Sequence, residues 1–261
     1  ARFFSVSSSS AGRVEESLAL RDAVLLTKPG DDVGPAGRLL LAWRRLATRP
    51  AEELLTEKNL AAVLEEFGFF ARDGEVVSDL AGELRQLAVG AGTVEMLTGA
   101  FMAAERCGFG RAVGAWLADV LLAQRLGWAH AIPLLGGEAA LGSHASRRRG
   151  GPALVTATGI EMDGEGTKEL LAARARAALR AIDLSAELER RADKLLAVAP
   201  KLRAKAADAV VERLLFDDAL VASEKITGMS ERGLRRLFDR LQTLGAVREL
   251  TGRPTFRIYG L

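Results

Sequence analysis

The stretch that decides the fold is DAVVERLLFDDALVASEKITGMSERGLRRLFDRLQTLGAVRELTGRPTFRIYGL, residues 208–261. It reads as three helical patterns followed by two short strand patterns around a Gly-Arg-Pro turn. The first helix is expected from Ala207 to Asp217, with Val210, Val211, Leu214 and Leu215 on one face. Ala219 to Ile226 reads as a short second helix, and Thr227, Gly228 and Met229 as the turn. Ser230 is placed to cap the third helix, because its hydroxyl can accept a free N–H of the first turn. That helix runs from Glu231 to about Leu244. Leu234, Leu237, Phe238, Leu241 and Leu244 fall at helical spacing and form one apolar stripe. Gly245 follows where a left-handed cap is required. Val247 to Leu250 reads as one strand and Thr255 to Tyr259 as another. The alternation of the second puts Phe256 and Ile258 on one side and Thr255, Arg257 and Tyr259 on the other.

This order of elements is that of a winged helix-turn-helix, whose third helix enters the major groove of DNA. With the apolar stripe inward, Arg232, Arg235, Arg236, Asp239 and Thr243 point outward, and Arg240 lies at the edge. A guanidinium fork suits phosphate and the guanine edge. Arg253 at the wing tip and Arg257 on its outer face add two further cations. The expected DNA-binding set is therefore Ser230, Arg232, Arg235, Arg236, Arg240, Arg253 and Arg257, and double-stranded DNA is the expected partner. Asp239 interrupts this surface, and many winged helices dock on protein, so an accessory-subunit role is the alternative.

The charge balance agrees in sign. The chain has 36 Lys and Arg against 34 Asp and Glu, a net of +2. Residues 201–261 carry 12 basic and 8 acidic residues, so the excess lies in the tail. It is well short of that of a protein that coats nucleic acid.

Upstream, alanine and leucine dominate and aromatic residues make up 5 % of the chain. Helices are expected over Val14–Leu26, Pro35–Ala47, Ala51–Glu66, Ser78–Val89, Thr93–Cys107 and Arg111–Arg125. A long one is expected over Thr167–Val198, either continuous or broken near Asp183. The fold class is mainly α: a multi-helix bundle over residues 14–200, after a flexible leader at 1–13, followed by the winged helix-turn-helix at 201–261.

Arg147, Arg148 and Arg149 form a compact basic patch in a loop. Gly108-Phe109-Gly110 with Gly114 imitates part of a dinucleotide fingerprint, but no strand precedes it. Trp43, Trp116, Asp119 and Trp128 read as core of apolar helices. Cys107 is the only cysteine, so no intramolecular disulfide can form. His130 and His144 lack metal-ligand spacing. No catalytic residue, cofactor or metal is indicated, and the chain is read as a non-enzyme. It has no 18-residue uncharged apolar run, so a cytoplasmic, non-membrane protein is expected, as a homodimer or a complex subunit.

Three segments carry a resemblance: LRDAVLLTKPGDDVGPAGRLLLAWRRLA (residues 20–47), WLADVLLAQRLGW (116–128) and RRLFDRLQTLGAVRELTGRPTFRIYGL (235–261). Together they resemble an uncharacterised, often plasmid-borne alphaproteobacterial family of unknown function with a carboxy-terminal winged helix-turn-helix. The resemblance implies no activity. Gly252, Arg253, Pro254, Tyr259 and Gly260 are also similar to the wing of segregation and condensation protein B. The helical first domain departs from that protein.

Overall fold

A computed structural model describes residues 32–70, 74–135, 164–204, 206–251 and 257–261. The leader, the Val14–Leu26 helix, the arginine patch at 147–149, His144, Arg253 and Phe256 lie outside the described residues. The protein is mainly helical, with a small three-stranded sheet. It divides into two compact units, Val33–Ala181 and a second holding Ile182–Leu261.

The first unit begins with α1 (Gly34–Thr48), a 3-10 turn at Ala51–Glu53 and α2 (Glu57–Glu66). The single helix expected over Ala51–Glu66 is thus two pieces. The Glu53 carbonyl explains the interruption. It accepts the Thr56 N–H at 3.1 Å, the Thr56 hydroxyl at 2.8 Å and the Asn59 amide at 2.7 Å. These local bonds compete with helix continuation, as is usual for Thr and Asn. Arg45 of α1 then grips Glu66 of α2 in a two-pronged, half-buried pair at 2.8 and 2.7 Å. That hydrogen-bonded carboxylate holds the guanidinium above its ordinary range.

Next come α3 (Gly74–Gly90), α4 (Thr93–Arg106) and α5 (Gly110–Arg125). The Gly108-Phe109-Gly110 run is a helix joint. Gly108 has φ +72° and closes α4 through its N–H to Glu105 and the Phe109 N–H to Ala104. Phe109 then meets Phe69 edge-on at 5.1 Å.

Residues 113–123 of α5 are buried without exception. Such a helix is apolar all round and forms the centre of its unit. At Gly114 an added Cβ would come within 2.7 Å of the Phe101 ring and 3.0 Å of the Phe101 Cα, so α4 and α5 touch almost backbone to backbone. The Trp116 indole N–H donates to the Ala42 carbonyl of α1 at 2.9 Å. Trp43 is buried edge-on against Phe67 at 6.2 Å. Asp119 is only 1 % exposed and accepts the Leu135 N–H at 2.9 Å. Its charge also acts on Arg174, whose guanidinium is pushed below its ordinary range by burial and drawn back up by Asp119.

The long helix α6 spans Gly164–Val198, the continuous one of the two alternatives. Leu170, Ala177, Leu184, Leu195 and Val198 are its buried positions.

In the second unit a 3-10 turn at Ala199–Lys201 leads to α7 (Ala207–Phe216), β1 (Leu220–Val221), α8 (Glu231–Thr243), β2 (Arg248–Glu249) and β3 (Ile258–Gly260). The sheet order is β1-β3-β2, antiparallel throughout. Leu220 pairs with Tyr259 and Val221 with Ile258, and the Ala222 N–H donates to the Arg257 carbonyl at 2.8 Å. The second helix expected over Ala219–Ile226 is therefore a strand and a turn. Pairing with β3 satisfies the backbone there, and tertiary context overrides a pattern too short to settle helix against strand. One core joins Leu195 and Val198 of α6, Val210 and Leu214 of α7, Leu234, Leu237, Phe238 and Leu241 of α8, and Tyr259.

Two substitutions test this packing. Asp119→Ala leaves the Leu135 N–H unpaired and Arg174 without its countercharge, a loss of about 3 kcal/mol. Asp119→Asn keeps an acceptor and is expected to lose less, as read from urea midpoints of the two variants. Gly114→Ala is expected to cost about 1–3 kcal/mol through overpacking, with an unchanged helical spectrum by circular dichroism.

Candidate nucleic-acid interface

The interface is built on α8. The Ser230 Oγ accepts the Gly233 N–H at 3.1 Å and caps the helix start. At the other end the Gly245 N–H donates to Gln242 and the Ala246 N–H to Leu241, with Gly245 at φ +63°. A Cβ at Gly245 would also come within 2.8 Å of the Lys194 ammonium of α6. Between these caps Leu234, Leu237, Phe238 and Leu241 are buried, while Leu244 is half-buried. The strong amphipathicity of the helix fixes its rotation about its axis.

The opposite face is open. Ser230, Arg232, Arg235, Arg236, Asp239 and Arg240 are all exposed. Arg235 lies 3.5 Å from Glu231 one turn back, a solvent-exposed pair of small energetic weight. Among the described residues Arg232, Arg236 and Arg240 have no such acidic neighbour within ion-pair distance. Thr243 turns its hydroxyl back to the Asp239 carbonyl at 2.8 Å.

Arg257 immediately precedes β3. Its guanidinium is held above its ordinary range first by a hydrogen bond with the Tyr259 side chain, then by the charge of Glu249, with Asp239 a smaller contributor. The Glu249 carboxylate lies 3.8 Å away. Tyr259 stacks on Phe238 of α8 with ring centroids 4.3 Å apart and planes 7° from parallel. The face carrying Arg257 and Tyr259, expected to be the outer one, is at Tyr259 the helix-facing one. A tyrosine ring buries a large apolar area while its hydroxyl keeps a polar partner. Ile258 is buried as well, outside the cluster that holds Tyr259.

The described residues of the first unit include a concave surface. Trp128, expected in the core, is 37 % exposed. With Leu55, Glu57, Arg85 and His130 it lines an open pocket of about 790 Å³. No group of three His, Cys, Asp or Glu side chains among the described residues is arranged to hold a metal. Among those residues, too, no helix is long and apolar enough to cross a membrane.

The chain matches a family of proteins of unknown function, DUF1403, over residues 2–261. It belongs to that family. No curated protein and no solved structure matches it. Membership covers both units and assigns an activity to neither.

The caps are directly testable. Ser230→Ala is expected to cost about 1 kcal/mol by orphaning a first-turn N–H. Gly245→Ala is expected to cost about 1–2 kcal/mol from its left-handed backbone, before the crowding of Lys194 is counted. Thermal melts of the two single variants measure both.

Proposed function

We propose that the second unit is a winged helix-turn-helix and that it binds double-stranded DNA through α8. The observation that carries this reading is the combination of topology and charge. A helix, a strand, the arginine-bearing helix and two strands in the sheet order β1-β3-β2 support it, with a turn in place of the expected second helix, and α8 presents four exposed arginines. Arg232, Arg235 and Arg236 enter the groove, and Arg240 meets the backbone at its edge. Arg257 holds phosphate from beside β3, and Arg253, outside the described residues, is proposed to do so with it. Ser230 fixes the start of α8 and adds a hydroxyl at the helix end nearest the bases. The helical unit serves sensing, dimerisation or partner docking. The process served is transcription regulation or plasmid and chromosome maintenance.

The second reading is an accessory subunit whose wing domain docks on protein. Asp239 among the arginines of α8 favours it, and Phe216, 83 % exposed at the end of α7, is the apolar side chain on which it can be tested.

Arg232→Ala, Arg235→Ala and Arg236→Ala combined are expected to abolish retention of duplex DNA in a mobility-shift assay and leave the melting temperature nearly unchanged. Single variants should each lower the slope of log affinity against log salt by about 0.9 for every phosphate they no longer neutralise. Full retention by the triple variant would remove the DNA reading. No retention by the parent protein, with a partner captured only when Phe216 is intact, would favour the second one.

A further inference from the structure

The open pocket of the first unit draws its walls from three places. The 3-10 turn at Ala51–Glu53 and the residues after it supply Glu52 and Leu55, α3 supplies Arg85, and the turn after α5 supplies Trp128 and His130. Two of these walls are tied to each other by hydrogen bonds. The Ala51 N–H donates to the Ala129 carbonyl at 2.9 Å, and the Gln124 amide donates to the Ala51 carbonyl at 2.7 Å. The pocket is thus formed without a ligand, and its volume of about 790 Å³ is that of a small-molecule site.

Opposite charges line it without neutralising each other. The Arg85 Nε donates to the Ala81 carbonyl of its own helix at 3.1 Å, which anchors one edge of the guanidinium. Among the described residues its two terminal nitrogens meet no acceptor. Glu52 is exposed and has no cationic partner among those residues. Glu57, the other acid of the lining, already accepts the Ser78 hydroxyl at 3.0 Å. The apolar part of the lining includes the buried side chains of Leu55 and Ala81 and the Trp128 indole.

These groups select among ligands. A plain carboxylate matches Arg85 and meets two glutamates. A plain amine matches Glu52 and meets Arg85. A compound with both charges beside an aromatic body suits every group. The two terminal N–H groups of a guanidinium match a carboxylate, a carboxylate accepts from an ammonium, and an indole pairs with an aromatic ring.

We propose that this pocket binds a free aromatic amino acid, with its carboxylate on Arg85, its ammonium on Glu52 and its ring against Trp128 and Leu55. The site lies wholly within the first unit, so the inference goes beyond DNA binding by α8 and does not rest on it.

L-Phenylalanine, phenylpropionate and phenethylamine test it, since they share one apolar body and carry both charges, the carboxylate alone or the ammonium alone. Each is titrated into the full chain by calorimetry and by tryptophan fluorescence. Trp43 and Trp116 are buried and Trp128 is partly exposed, so the fluorescence reports on the pocket. L-Phenylalanine is expected to bind saturably and more tightly than either relative. Arg85→Gln and Glu52→Gln should each weaken it about tenfold. Both side chains are exposed, and circular dichroism checks that the variants fold. Arg85→Gln should leave phenethylamine binding intact or tighter, and Glu52→Gln should do the same for phenylpropionate. General damage to the fold would not give that crossed pattern. Trp128→Phe should remove the fluorescence response and keep the heat of binding. Absence of saturable L-phenylalanine binding overturns the proposal. So does equal binding of the three compounds, or L-phenylalanine binding that neither charge change weakens.

Discussion

A helix buried on every side can present polar side-chain groups only where another element brings the matching atom to it. That constraint governs the first unit. Trp116, Asp119 and Gln124 of α5 are each met by backbone remote in sequence. The Trp116 N–H takes the Ala42 carbonyl, 74 residues away. The Gln124 amide takes the Ala51 carbonyl, 73 residues away. The Asp119 carboxylate takes the Leu135 N–H, 16 residues on. Each bond is modest in net energy, yet leaving any of these groups unmet is costly. Together they fix where α1, the 3-10 turn after it and the segment following α5 must run. Alanine and glycine supply the close approach; the polar contacts supply the register.

Much of the second unit is legible in its residues alone. The stripe of α8, the Ser230 cap and the Gly245 exit are local signals, set by neighbours within four residues, and each has its expected role. The features that escape such reading depend on distant partners. Leu220 and Val221 suit helix and strand equally well by themselves; only pairing with Ile258 and Tyr259 decides. Alternation gives β3 two faces without saying which is in, and the stack of Tyr259 on Phe238 settles that. In the first unit Trp128 ends an apolar run and so reads as core. The helix stops at Arg125, and the turn that follows carries the indole to the rim of a pocket. Asp119 plainly lies within that run, but its role is hidden there, since Leu135 is irregular backbone with no motif.

The proposed interface illustrates how a nearly neutral chain can still present a local cationic face. α8 sorts its residues by rotation alone, so the leucines that build the core also force the arginines outward. Two acids stand among them, Glu231 beside Arg235 and Asp239 farther along the helix.

Tryptophan and tyrosine are divided between the two units without mixing. Trp43, Trp116 and Trp128 all belong to the first, and Tyr259, the sole tyrosine, belongs to the second. Fluorescence excited at the red edge of the indole band thus originates in the helical unit alone. The near-ultraviolet signature of a tyrosine held flat against Phe238 belongs to the other unit. Each half of the molecule carries its own optical label, and the order in which the halves lose their structure can be followed in the unmodified chain.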